Sequence, residues 1–386
     1  MNRTLPLITA CALTALTATP AAAEPCSRWG AGVEVGRVER GDLNEASGLA
    51  RAWSDGDALW SHNDSGDSPR LFAVGADGGD LGTWRVTGAD ARDWEDITRG
   101  PCGDRTCLYI ADFGNNSEAR EDLAIYRVPE PARPDAPPTG PGDTEPAARF
   151  DLNYDFDDGA NPDAESLWYD ARDGALYMAT KEERRARVLR VTLDEASGRA
   201  ELELVGEIAL ARATAGAASP DGDQFVIRNY FAAFAFSRAG GESVADALAT
   251  GGVQVRLLNE GQAEAIAYDE AGDALWTVSE DDNPPLLRYP CADPVDPPAE
   301  DAGGQPDAGG AGDAGAPPDA GAPPDVGAGG GSGDAGRAAP DASSPPGSGS
   351  GAGTGGCSSA PPGAPAAPVG LGLGVALMCG LGRRRS

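Results

Sequence analysis

The feature that most constrains this chain is a phrase that recurs at a nearly fixed interval. Each copy opens with an acidic residue and a short apolar stretch, passes through an Asp/Gly turn, and closes with a second apolar stretch ending in polar side chains. The copies read NEASGLARAWSDGDALWSHND, DWEDITRGPCGDRTCLYIADF, DAESLWYDARDGALYMATKEE and QAEAIAYDEAGDALWTVSEDD, with a degenerate copy, TAGAASPDGDQFVIRNY, in fourth place. Aligned on Glu45, Glu95, Glu165, Gly216 and Glu264, they stand 50, 70, 51 and 48 residues apart. The long interval contains PEPARPDAPPTGPG, which reads as a Pro-rich loop insertion. A period near 50 residues, built from short strands and Gly/Asp turns, is the pattern of an all-β propeller with four strands per blade.

The blades can be parsed directly. The first is SGLARAW, ALWSHN, PRLFAVGA and GTWRVTG, and the third is SLWYDA, ALYMATK, RVLRVTL and ELELVGEI. After Glu264 three strands remain before Cys291, and the missing fourth is available in GVEVGRVER near the N-terminus. Five blades are therefore expected, or six if one is divided differently, with the first strand closing the ring. Cys26 precedes that strand and Cys291 follows the last one. The four cysteines of the globular part allow three pairings; ring closure favours Cys26 with Cys291, and Cys102 with Cys107 across the CGDRTC loop. A bond closing so long a loop contributes on the order of 5 kcal/mol by chain entropy.

The chain ends carry addressing signals. MNRTLPLITACALTALTATPAAAEPC has the charged, apolar and small-residue order of a secretory signal peptide, so residues 1–23 are expected to be removed. Export makes disulfides plausible. The propeller then spans 24–291. Residues 292–356 collapse into Asp, Ala, Gly, Pro and Ser, a mixture with nothing to bury, and read as a disordered spacer. Residues 357–386 run from Cys357 through the apolar VGLGLGVALMCGLG to RRRS. That order, a Gly-Cys pair, a short hydrophobic segment and an Arg-rich end, resembles the MYXO-CTERM sorting signal. The resemblance implies that Cys357 is the processing or anchoring residue, that sorting machinery is a partner, and that the protein reaches the cell surface, the outer membrane or the medium. The alternative is a retained membrane anchor, although fourteen apolar or Gly residues fall short of the roughly 20 that span a bilayer.

Charge narrows the partners. Thirty basic residues face 61 acidic ones, a net charge of -31, which excludes nucleic acid as a natural partner and leaves divalent cations open. A monomer is expected. The chain holds one histidine, His62, and one lysine, Lys181.

In a propeller blade the first strand runs along the channel and the second returns, so the start of one and the end of the other share a face. That places Glu45, Glu95, Glu165 and Glu264 around one channel mouth with His62, Asp64, Asp112, Lys181 and Glu280, the single His and single Lys at equivalent places in different blades. Converging carboxylates repel unless a cation intervenes, and hard oxygen ligands suit Ca²⁺. The functional reading makes Glu45, Glu95, Glu165, Glu264, Asp112 and Glu280 cation ligands and His62, Asp64 and Lys181 the catalytic candidates, His62 as acid or base and Lys181 as the holder of developing negative charge, in a metal-dependent hydrolase of phosphoesters or other esters. The competing readings are a non-enzymatic ligand-binding propeller, and repeat Glu side chains that merely pin neighbouring blades. No nucleophile elbow, zinc spacing or phosphate loop is present. HNDSGDSPRLFA, DWEDI, LYIADFGNN, IYRVPEP and DAESLW together resemble secreted bacterial propellers that are distantly phytase-like and esterase-like. In the phytase propellers an acidic mouth binds Ca²⁺; this chain shares the acidity and lacks their basic cluster for phosphate.

Overall fold

The structure is a computed structural model. It describes residues 25–292 except 55, 137 and 239. The expected signal peptide, the spacer beyond its first residue, and the sorting segment with Cys357 lie outside the described residues. No helix among those described is long and apolar enough to cross a membrane.

The chain is built from antiparallel meanders. After β1 (Val33–Arg37) come β2 (Ala46–Ala52), β3 (Ala58–Asn63), β4 (Arg70–Gly75) and β5 (Asp80–Arg85). The next unit is β6 (Trp94–Cys102), β7 (Arg105–Asp112) and β8 (Ala124–Pro129), then the short β9 (Gly142–Asp143) and β10 (Ala148–Leu152). A third comprises β11 (Ala164–Asp170), β12 (Ala175–Thr180), β13 (Ala186–Asp194) and β14 (Arg199–Ile208). A fourth holds β15 (Ala213–Ala218), β16 (Gln224–Asn229), β17 (Ala233–Ser237), the helix α1 (Val244–Ala249) and β18 (Val253–Val255). The last is β19 (Gln262–Tyr268), β20 (Ala274–Glu280) and β21 (Pro285–Pro290). β10 joins the second and third meanders into one sheet through a parallel pair with β14. The Pro-rich insertion ends in β9, which adds to the outer edge of β5.

The ring closes as a β-propeller. β2 packs on β6, β6 on β11, β11 on β15, β15 on β19, and β19 back on β2. β1 pairs antiparallel with β21, so the N-terminal strand completes the last meander. The Cys26–Cys291 disulfide, with Cα atoms 5.7 Å apart, locks that junction, and Cys102–Cys107 closes the β6–β7 turn.

Apolar side chains fill the seams between successive meanders. Trp53, Trp60 and Trp84 meet Trp94 and Tyr126 at one seam; Trp168 and Tyr177 meet Phe225 and Phe236 at another. Strands stacked on both sides are buried at every position, as β3, β12 and β15 are. The outer β14 is largely exposed instead, with only Ala200 and Ile208 buried, because one of its faces meets water. Inner strands must also be slim, which is why β15 reads ATAGAA: a Cβ on Gly216 would lie 2.6 Å from the Trp168 ring.

Each inner strand carries a β-bulge at the same place. The pairing skips Ser47 in β2, Glu95 in β6, Glu165 in β11, Thr214 in β15 and Glu264 in β19. A bulge adds an unpaired residue and re-aims the side chains around it. The residue after the second of these bulges, Asp96, enters the channel interior. Its Oδ1 accepts Ile97 N–H at 2.8 Å, and its Oδ2 accepts Leu167 N–H at 2.8 Å and Gly216 N–H at 3.1 Å. One carboxyl group thus ties β6 to β11 and β15.

Candidate functional site: an acidic channel mouth

The bulges correct the repeat alignment. Ser47, not Glu45, occupies the place of Glu95, Glu165 and Glu264, and Thr214, not Gly216, does so in the fourth meander. The two hydroxyl residues pin the ring: Ser47 Oγ donates to Glu95 O at 2.7 Å and Thr214 Oγ1 to Ala263 O at 3.2 Å. The three Glu side chains are held in the mouth instead. Two residues before the bulge stand Glu45, Asp93 and Asp163. Asp93 and Asp163 belong to the mouth and were not among the expected ligands, although the D-x-E spacing of DWE and DAE was their signal. Glu45 is exposed, and only its backbone is tied in, by Asn63 and Asp64.

The second strands contribute the residue just past their end: Asp64 after β3, Lys181 after β12, Tyr230 after β16 and Glu280 at the tip of β20. Lys181 is therefore the counterpart of Asp64, and the expected equivalence of Lys181 with His62 does not hold. His62 pairs with Gly48 inside the sheet, is fully buried, and stacks edge-on to Trp94 at 5.5 Å. Its Nδ1 meets Asn63 O at 2.9 Å, while Nε2 faces the Asp96 peptide without a satisfying hydrogen bond. Burial pushes its pKa down to about 4. A neutral imidazole sealed from solvent does not serve as an acid or base at an open mouth. Asp112 is also withdrawn: its Oδ1 pairs with Arg120 at 3.0 Å and accepts Asp93 N–H at 3.1 Å.

What remains converges. Among the described residues, ligand-capable oxygens come within 4.8 Å of one another in three groups: Asp64, Glu264 and Glu280; Asp64, Asp93 and Glu95; and Glu95, Asp163 and Glu165. Asp64 and Glu95 are shared, so the groups form one arc contributed by four meanders. Glu95, Glu165 and Glu264 are 2%, 3% and 6% exposed, so the carboxyl groups meet in a poorly solvated place. Burial, against the opposing charge of Lys181 and with lesser repulsion from Asp163 and Asp64, pushes Glu165 up to about 8. Burial, with the nearby Glu280 and Glu165, pushes Glu264 up to about 9. Burial likewise raises Asp64 to about 6 and Glu95 well above the carboxylate range.

The arc is closed by Lys181 and Tyr230. Lys181 Nζ pairs with Glu165 Oε1 and lies 5.5 Å from the centre of the Tyr230 ring, whose hydroxyl donates to Glu264 Oε1 at 2.9 Å. Glu165 Oε2, Glu264 Oε2 and Asp64 Oδ1 are buried and have no partner. Oxygens of this kind fit a hard divalent cation, which would supply the missing contacts and reverse the upward pKa shifts. Gly114 makes room for the cluster, since a Cβ there would overlap Glu95 Oε1 and lie 2.6 Å from the Asp93 carboxyl group. Beside the arc opens a cleft of about 510 Å³ lined by Asp163, Lys181, Tyr230 and Arg212.

An all-β propeller with an acidic mouth is the class that fold and site define. No family model matches the chain, and no curated protein does. Among solved structures, it is similar to the β-propeller domain of Cps50 (Swd1) from Myceliophteria thermophila, at 12% identity over 64% of this chain and 84% of that one, with a TM-score of 0.34. It is also similar to Raptor from Chaetomium thermophilum, at 10% identity over 69% of this chain and 29% of that one, with a TM-score of 0.37.

Proposed function

We propose that this protein is an exported five-bladed propeller, displayed at the cell surface or released from it, whose channel mouth binds a divalent cation, Ca²⁺ by the chemistry of its ligands. The observation that carries the reading is the arc of interlocking carboxylate groups with buried, unpartnered oxygens on Glu165 and Glu264. The signal-like N-terminus and the two disulfides support export. The cation would use three protein carboxylates and keep coordination positions for an oxygen-bearing ligand, since Ca²⁺ takes roughly 6–8 oxygens. Binding is favoured over catalysis because the chain's one imidazole is sealed beneath the mouth.

A second reading, a cation-assisted esterase or phosphoesterase, draws on the cleft beside Glu165, where Lys181 could face a developing negative charge. A melting curve of the full chain with Ca²⁺ and with chelator tests the first reading. Free Ca²⁺ at a hundredfold its Kd stabilises the folded state by about 2.7 kcal/mol, roughly 5–10 °C for a domain of this size. An unchanged melting temperature removes the cation. Ca²⁺-dependent turnover of aryl phosphates or carboxylic esters would replace binding with the second reading.

A further inference from the structure

The three carboxylate groups are not alike, and the difference lies in one side chain. The Glu95, Asp163 and Glu165 group already holds a positive charge, because Lys181 Nζ sits on Glu165 Oε1. The ammonium is kept in place from behind by the Tyr230 ring and is only 15% exposed, so it is not a surface pair that opens freely to water. The Asp64, Glu264 and Glu280 group has no such occupant. Neutral donors reach it instead, the Tyr230 hydroxyl on Glu264 Oε1 and the Gln262 side-chain amide on Glu280 Oε2, and the buried Glu264 Oε2 and Asp64 Oδ1 stay unpartnered.

A divalent ion and an ammonium cannot share Glu165 at contact distance without strong repulsion in so dry a place. We infer that Lys181 is a tethered competitor: it occupies the Glu95, Asp163 and Glu165 group in place of a metal and directs the divalent ion to Asp64, Glu264 and Glu280. The chain's single lysine thereby sets both the number and the position of ions at the mouth. This inference rests on the cation-binding reading above.

Calorimetric titration of the full chain with Ca²⁺ separates the two. The wild type is expected to bind one ion and Lys181→Met two, while Lys181→Arg, which keeps the charge, binds one. Glu264→Gln should abolish binding in the wild type and leave one ion in the Lys181→Met background; Glu280→Gln, at a half-exposed position, gives the same result if the buried change prevents folding. An unchanged stoichiometry and affinity in Lys181→Met overturns the inference and leaves cation binding intact. Absence of Ca²⁺ heat in both the wild type and Lys181→Met overturns cation binding itself, and the inference with it.

Discussion

Asp96→Asn tests whether a single carboxyl group holds the inner strands in register. Asp96 accepts three backbone N–H groups belonging to β6, β11 and β15, from Ile97, Leu167 and Gly216. An asparagine amide has one accepting oxygen. If it keeps Leu167 and Gly216, its NH₂ faces Ile97 N–H, donor against donor. Leaving that N–H orphaned costs about 1–3 kcal/mol, and the two retained bonds each lose about 1 kcal/mol with their charge assistance. Burial opposes the charge on Asp96 and raises its pKa, so removing the charge returns part of that sum. The expected net loss is about 3 kcal/mol, and Asp96→Ala, which orphans all three donors, should lose more. Urea unfolding followed by tryptophan fluorescence measures both. In a domain of this size the Asn change corresponds to a fall of roughly 6–12 °C in melting temperature. A loss under about 0.5 kcal/mol for Asn, or an Ala variant as stable as the Asn one, would refute the assignment of Asp96 as the tie between strands.

The mouth carboxyl groups predict an unusual pH dependence. Glu165 and Glu264 have folded pKa values of about 8 and about 9, above their ordinary 4.5, so the folded protein holds extra protons in between. In chelator, stability should be full near pH 4.5 as far as these groups go and decline as pH rises through 8–9, with Ca²⁺ flattening the decline; a melting temperature that is level from pH 6 to 9 without Ca²⁺ contradicts this. His62 acts in the opposite sense, because its folded pKa of about 4 lies below its ordinary 6.5. Between pH 6.5 and 4 it should cost the wild type about 3 kcal/mol relative to His62→Gln, read as the difference between two denaturation series. Gly114→Ala should leave the wild-type ion in place and weaken the second ion of the Lys181→Met protein at least about tenfold, because the new methyl group collides with Glu95; unchanged affinity for that second ion by calorimetry would remove Glu95 as its ligand.

The architecture was legible because strand pattern and closure are properties of segments. Apolar and polar residues alternating along the sequence of β14, turns at Gly and Asp, and a spare strand before Asn44 suffice to draw the ring, and the positions of Cys26 and Cys291 follow from it. The site was half legible because a bulge is a property of pairing. The bulged residue is defined by its place in the ladder and not by its type, so aligning NEASG on its Glu shifts the first blade by two and hides Ser47 as the counterpart of Glu95. His62 turns inward to Trp94 because it lies within β3, whereas Asp64, past the end of that strand, reaches the mouth. Asp96 was invisible for a related reason: its donors Leu167 and Gly216 lie 71 and 120 residues away. Asp93 and Asp163, by contrast, were marked by their spacing from Glu95 and Glu165.

The account stands most directly on whether an ion sits among these carboxylates. Crystals of the protein grown in saturating Ca²⁺ should show an ion in the channel mouth, with oxygens of Asp64, Glu264 and Glu280 at roughly 2.3–2.6 Å. A mouth in which none of the three carboxylate groups holds an ion under those conditions would contradict it.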